Sequence, residues 1–280
     1  MVRKNIFINA IILLLCALCL ASGCNNDFLG LIYSSDLDER LRSKDEFNFL
    51  TAQELSPSPG FGSSYSFIVL ADTHIEGGNA WGLENLTNVI SSNLNIKFVV
   101  VLGDITQNGA REDIDRFKQI ANSLTVPFYP VIGNHDIYFG NWSVYREEIG
   151  STRYRVNGTG TTLFMLDSAN SFFGRDQLNW LERELRNTQG RIFVFTHTRL
   201  FVTGPVDLQH MTDIRERARI VSMLQNKCDA VFMGHSHKRI INEAGNVQYI
   251  NVDDFVNSKT YCLVTVPASG KITYEFHRLP

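Results

Sequence analysis

From about Tyr65 onward, short apolar runs alternate with longer stretches in which apolar residues recur every three or four positions. The runs at residues 67–71, 98–102, 128–132, 163–166, 192–196 and 230–233 predict strands, and the stretches at 81–93, 111–123, 176–187 and 213–226 predict amphipathic helices. That alternation is the signature of an α/β layered domain. Across residues 239–277, strand-like runs are separated by Glu243-Ala244-Gly245-Asn246 and Ala268-Ser269-Gly270, which predicts hairpins. Upstream the character changes. Charges cluster within residues 36–46, and Ser56-Pro57-Ser58-Pro59-Gly60-Phe61-Gly62-Ser63-Ser64 breaks any helix, so residues 24–64 read as a tether. Within it, Leu37, Leu41 and Phe47 recur at near-helical spacing, predicting a short helix around 37–50, part of which docks on the domain.

The first residues are a targeting segment: Arg3 and Lys4 precede an almost wholly apolar stretch at 10–21. Ala21-Ser22-Gly23-Cys24 then resembles the cleavage site of bacterial lipoproteins, with alanine where leucine is usual. The expected division is a signal peptide at 1–23, a lipid-anchored tether at 24–64 and a domain at 65–280, with export to the bacterial cell envelope and a membrane anchor on Cys24. Ordinary secretory cleavage and an uncleaved anchor are the alternatives. The acyl chains together would supply the two signals that stable anchoring needs.

Composition narrows the picture. With 280 residues, 44% of them hydrophobic, the chain is long enough for a core of ordinary size. A formal net charge of -3 offers no basic surface, which argues against a protein that grips nucleic acid by electrostatics. Beyond the targeting segment only Cys228 and Cys262 remain, each in an apolar run, so lone core cysteines are expected and no cysteine pattern suggests metal.

The chemistry lies in the residues just past the predicted strands. In chain order the runs deliver Asp72-Thr73-His74, Gly103-Asp104, Gly133-Asn134-His135-Asp136, His197 and Gly234-His235-Ser236-His237. Groups at the carboxyl ends of strands in an α/β sheet converge on one crevice. Five of the seven histidines fall in this set. The paired side chains in Asp72-Thr73-His74 and His235-Ser236-His237 stand two residues apart, which in extended backbone sends both to one side. Imidazole, carboxylate and amide oxygen without thiolate suit Mn, Fe or Zn. Asp72, His74, Asp104, Asn134, His197, His235 and His237 outnumber the ligands one ion with an open position takes, so two divalent ions fit better, with Asp104 the natural bridge.

This order of motifs, from about Phe67 to His237, resembles the calcineurin-like metallophosphoesterase superfamily. The resemblance implies a four-layer α-β-β-α sandwich of two mixed sheets. It implies that Asp72, His74 and His237 hold one ion, that Asn134, His197 and His235 hold the other, and that Asp104 bridges. It makes His135 a non-ligand histidine beside the substrate, aiding the leaving group, with Asp136 holding its ring. A metal-bridging hydroxide would attack phosphorus in line. Gly103-Asp104-Ile105-Thr106 lacks the tyrosine of purple acid phosphatases, and the form Gly-Asp-x-Val-Asp-Arg-Gly of the Ser/Thr protein phosphatases is absent. The stretch from Gly103 to Glu112 is most similar to small cyclic-nucleotide and glycerophosphodiester phosphodiesterases, implying a small phosphoester substrate.

A phosphomonoesterase or pyrophosphatase of the same fold, and a surface protein that merely holds metal, are the rival readings. Arg199 follows His197 closely and either reaches a substrate phosphate or is a solvated surface side chain. Asp167, Ser168, Tyr138, Phe139, Asn141 and Trp142 are weaker candidates to line the site, with core packing the alternative for the aromatics.

Overall fold

A computed structural model describes residues 34–42, 61–202 and 209–279 of the chain. Cys24 and the targeting segment lie outside the described residues. In chain order the elements are α1 (Leu37–Arg42), β1 (Tyr65–Leu70), α2 (Leu86–Ser92), β2 (Ile96–Leu102), α3 (Arg111–Ser123), β3 (Phe128–Val131) and α4 (Trp142–Glu148). There follow β4 (Tyr154–Gly158), β5 (Thr161–Leu166), α5 (Arg175–Asn187), β6 (Arg191–Thr196), α6 (Ile214–Leu224) and β7 (Ala230–Met233). The chain closes with β8 (Ile240–Ala244), β9 (Val247–Asn251), α7 (Phe255–Ser258), β10 (Thr260–Val266) and β11 (Thr273–Arg278).

The strands form two mixed sheets, ordered β11-β10-β1-β2-β3 and β4-β5-β6-β7-β9-β8. In the first, β1, β2 and β3 run parallel while β10 pairs antiparallel with β1. In the second, β5, β6, β7 and β9 are parallel, and β4 and β8 close the edges antiparallel. The six residues of β1 are all buried, because alternate side chains enter different layers. Phe67 and Val69 join Phe98, Phe193, Phe195 and Phe232 between the sheets. Ile68 and Leu70 face outward into a layer with Leu86, Ile114 and Phe117. The outer face of the second sheet, including Phe164 and Val194, packs on Leu178 and Leu181 of α5 and Ile220 of α6. These are the four layers, helix on sheet on sheet on helix, that the resemblance implied. Phe67 is the pivot of the middle layer: its ring stacks on Phe98 at 4.6 Å and meets Phe193 edge-on at 5.2 Å across the sheets. Such pairs add about 0.5–1.5 kcal/mol each beyond their buried area.

Differences from the expectations have local causes. The helix predicted from residue 81 begins later, as a 3-10 turn at Leu83–Asn85 leading into α2, because Trp81 and Gly82 take left-handed backbone at φ +57° and +90°. Strand β4 and helices α4 and α7 were not anticipated; β4 pairs with β5 and alternates buried and exposed residues at the sheet edge. The C-terminal hairpins form, but they separate: β8 and β9 extend the second sheet, and β10 and β11 complete the first. Within the stretch read as a tether, α1 docks with Leu37 and Arg40 buried. Phe61, four residues before the expected domain boundary, packs against Tyr65 and Phe98 at 5.2 Å and belongs to the core between the sheets. Cys228 and Cys262 are both buried and free, as lone core cysteines.

Candidate metal centre

The parallel strands β1, β2, β3, β6 and β7 all end at one edge of the sandwich, and the loops leaving them carry the seven predicted donors. Two sets of the predicted ligands form there. Oxygen or nitrogen atoms of Asp72, His74 and His237 lie within 4.8 Å of one another, as do those of Asp104, His197 and His235; a third group, His74, Asp104 and His135, straddles the two. Asn134 joins the second set, with its Oδ1 at 2.9 Å from His197 Nε2, itself 3.1 Å from His235 Nδ1. The two sets meet at one atom: Asp104 Oδ2 is 3.4 Å from His197 Nε2 and 3.8 Å from His74 Nε2. The other oxygen of Asp104 is engaged elsewhere, accepting the backbone N–H of His135 at 2.8 Å.

The orientation of each donor has a visible support. His197 turns Nδ1 to the carbonyl of Leu102 at 2.7 Å, which sends Nε2 into the set. Asn134 donates from Nδ2 to the hydroxyl of Tyr138 at 2.9 Å, which turns its carbonyl oxygen inward. The backbone N–H of His235 donates to Asp72, 3.0 Å from Oδ2. Asp254 Oδ2 stands 3.9 Å behind His237 Nδ1. The loops could approach only because glycine occupies their start: a Cβ on Gly133 would fall 2.1 Å from the backbone nitrogen of Asp104, and one on Gly103 2.6 Å from His197 Nδ1.

The donor set fits divalent metal. His197 Nε2 faces an amide oxygen, a carboxylate oxygen and an imidazole nitrogen, so positive charge, a proton on the ring or a cation in its place, must stand among these lone pairs. The carboxylates draw it there. Burial disfavours a charge on His197, yet Asp104 and Asp72 outweigh it and raise the ring to about 9. Burial likewise opposes ionisation of Asp104, but His197, His135 and His74 hold its carboxyl well below the ordinary range. Burial lowers His235 to about 3 and His74 to about 4, keeping both as neutral ligands. His74 is buried with neither ring nitrogen in a hydrogen bond. Both nitrogens are thus orphaned in the absence of an ion, at a place where one would be satisfied by coordination.

Three expectations need correction. First, the ligand pairs do not share a side through extended backbone. Asp72, His74, Asp104, His235 and His237 all have positive φ, between +42° and +67°, so left-handed turns rather than a period of two aim their side chains. Second, Asp136 does not hold the ring of His135. Its buried carboxylate accepts the backbone N–H groups of Gly133, Thr106 and Ile105 at 2.9, 3.0 and 3.3 Å, tying the Asp104 loop to the Asn134 loop. Burial, with Asp104 beside it, raises its carboxyl to about 6. The ring of His135 is held instead by the carbonyl of Gln107, 2.7 Å from Nδ1, and by edge contact with His74 at 4.6 Å. Third, Arg199 is no solvated surface residue: it is 2% exposed, and its carbonyl accepts the N–H of Met211.

A cavity of about 290 Å³ opens beside the donors, lined by His74, Glu76, Trp81, Gln107, His135, His237, Val256 and Asn257. Arg199 does not line it. Asp167 pairs with Arg40, Ser168 bonds to Thr196 and Thr198, and Trp142 packs in the core, so none of these lines the cavity. Tyr138 is buried but has a role beyond packing, through Asn134. Trp81, Gln107 and Asp254 were missed. Trp81 donates from Nε1 to the carbonyl of His74 at 2.9 Å, and Gln107 acts on His135 through a main-chain atom that no residue type reveals. The run Asn251-Val252-Asp253-Asp254, following a strand as the other donor loops do, was a signal for Asp254.

Known proteins agree with this architecture. A protein from Fibrobacter succinogenes described as "Probable cyclic nucleotide phosphodiesterase" is 28% identical over 152 residues, 52% of this chain and 59% of its own length. A protein from Arcobacter nitrofigilis described as "Probable glycerophosphodiester phosphodiesterase GpdQ" is 27% identical over 195 residues, covering 61% of this chain and 71% of its own. Among solved structures, a dimetal phosphatase from Danio rerio superposes with a TM-score of 0.58 at 15% identity, covering 75% of this chain and 98% of that one. Purple acid phosphatase from yellow lupin superposes with a TM-score of 0.63 at 14% identity, covering 79% and 52%. The family model for calcineurin-like phosphoesterases matches residues 65–239, the span that holds all seven donors, and the chain belongs to that family.

Proposed function

We propose that the protein is a phosphodiesterase that uses two divalent ions, Mn, Fe or Zn, on a small phosphoester. The observation that carries this reading is the meeting of two donor sets at a single oxygen, Asp104 Oδ2, beside a cavity that admits a small ligand. Asp72, His74 and His237 would hold one ion, Asn134, His197 and His235 the other, and Asp104 both. When bound, such a pair supplies Lewis acidity toward phosphoryl oxygens and a nucleophile made from water at neutral pH.

The remaining work falls to side chains of this chain. His135 lies 3% exposed on the cavity wall, and its Nδ1 is occupied by the Gln107 carbonyl, so Nε2 is the atom free to serve the substrate. A protonated His135 would donate from Nε2 to the leaving oxygen. Trp81, Val256 and Asn257 shape the space for that leaving group. The relatives' phosphodiesterase descriptions support the diester preference.

The test is a matrix of metals against aryl substrates on purified, metal-stripped protein. Restored Mn(II), Fe(II) or Zn(II) is expected to give turnover of bis(p-nitrophenyl) phosphate well above that of p-nitrophenyl phosphate. Faster monoester turnover would favour a phosphomonoesterase, and no turnover of any ester under any metal would sink the enzyme reading.

We further propose that the protein is exported and held to a membrane through a lipid on Cys24, on the strength of the basic, apolar and small-residue order of its first residues. No helix among the described residues is long and apolar enough to cross a membrane. Cys24→Ala is expected to move the protein from the membrane fraction to the soluble fraction; retention in the membrane would overturn the assignment.

A further inference from the structure

Helix α1 precedes the span that the family model matches, yet it buries Leu37 and Arg40, the second of them a charged side chain. Arg40 is 2% exposed and grips Asp167, itself 0% exposed, with Nε on Oδ2 at 2.7 Å and Nη2 on Oδ1 at 2.8 Å. The fork is completed by Asn170 Oδ1 at 2.7 Å from Nη2 and the carbonyl of Ser35 at 2.8 Å from Nη1. A planar guanidinium held at all three nitrogens fixes both distance and direction, as a lysine could not.

Asp167 stands just past β5, and its main chain is also clamped. Its N–H donates to Gln177 Oε1 at 2.9 Å, and its carbonyl accepts from Gln177 Nε2 at 2.7 Å. The next residue, Ser168, touches both neighbours of a predicted metal ligand. Thr196 Oγ1 donates to Ser168 Oγ at 2.7 Å, the N–H of Thr198 donates to the same oxygen at 2.8 Å, and Thr198 Oγ1 donates to the Ser168 carbonyl at 2.8 Å. The residue between those threonines is His197. Ser168, Thr196, His197 and Thr198 are all fully buried, so no solvent stands ready to replace a lost bond.

We infer that Arg40 is a positioning residue for the Asn134, His197 and His235 donor set, acting through Asp167 and Ser168, so that the segment before the family domain is part of the metal-binding apparatus. This rests on the two-ion reading of the site. Partners one step behind a ligand commonly change metal affinity by about 10- to 100-fold when removed. Arg40 stands further back, but every link between it and His197 is a buried hydrogen bond or the chain itself. The Asp72, His74 and His237 set stands further along the same route: past His197, whose Nδ1 meets the Leu102 carbonyl, the next carbonyl, of Gly103, accepts the N–H of Asp72 at 3.2 Å, so the effect falls first on the His197 set.

The experiment is a calorimetric Mn(II) titration of the metal-stripped full chain, with near-ultraviolet circular dichroism to report folding. Arg40→Gln and Thr198→Val are compared with Arg40→Met/Asp167→Asn, which removes both buried charges and leaves none unpaired. Each folded variant is expected to weaken one Mn(II) site by about tenfold or more while the other stays within about twofold. In a His237→Ala background, where the second set is the intact one, the loss should persist. Combining Arg40→Gln with Thr198→Val should cost less than the two losses together, because both act on one route. If Arg40→Gln does not fold, the double variant and Thr198→Val decide. Native-like spectra with both sites as tight as in the parent, or an equal loss at both, would overturn the inference. A parent that binds a single Mn(II) would refute the two-ion reading separately, since any effect of Arg40 on that ion is still read.

Discussion

Asp104→Asn is expected to lower kcat/KM for a diester by about 10³-fold or more, about 4 kcal/mol of transition-state stabilisation, and to leave at most one ion bound. The substitution is nearly isosteric, so the loss has an electrostatic origin. One oxygen of Asp104 accepts the N–H of His135, and the other sits between His197 and His74. An amide must present its NH₂ to one side. Turned toward His135, it opposes a donor with a donor; turned the other way, it offers no lone pair where two ions need one. Metal content per chain, measured by elemental analysis alongside the kinetics, checks both halves. Parent-like activity with two ions still bound would show that Asp104 is not the shared ligand.

His135→Ala should behave differently, lowering kcat by about 10²- to 10³-fold with metal content unchanged. The ring belongs to the cavity wall and hangs from the Gln107 carbonyl. If Nε2 delivers a proton to the departing oxygen, the loss must grow as the leaving group becomes more basic. An alkyl ester should therefore suffer more than a p-nitrophenyl ester, whose phenolate departs without help. A uniform loss across leaving groups would assign the ring to charge stabilisation at phosphorus instead, and loss of an ion would make His135 a ligand.

Much of this was readable from residue order. Strands such as β1, buried on both faces, announce themselves as unbroken apolar runs, and the donors at their ends are of types with few other uses in such company. The donor loops were therefore legible as one site before any contact was known. Edge strand β4 was not, because half of its residues face solvent and its pairing with β5 supplies what its own pattern lacks. The roles of Asp136 and Asp167 were misjudged for a related reason. Asp136 lies inside a donor motif and Asp167 just past a strand, as the donors do, but their partners, main-chain N–H groups for one and Arg40 for the other, are set by the tertiary arrangement. The same holds for Gln107 and His135.

The left-handed backbone at five of the proposed ligands reaches into the inorganic chemistry. Outside glycine, that conformation is adopted most readily by asparagine, aspartate and histidine, and it costs other side chains about 1–3 kcal/mol each. Asp72, His74, Asp104, His235 and His237 are all drawn from that short set. Glutamate and cysteine are also common metal ligands, but neither is favoured at these turns. The loop geometry thus filters which side chains can stand at five of the seven donor positions: it admits aspartate and imidazole and discourages glutamate and thiolate. Hardness of the site, and with it the range of ions it accepts, is written partly in φ and ψ.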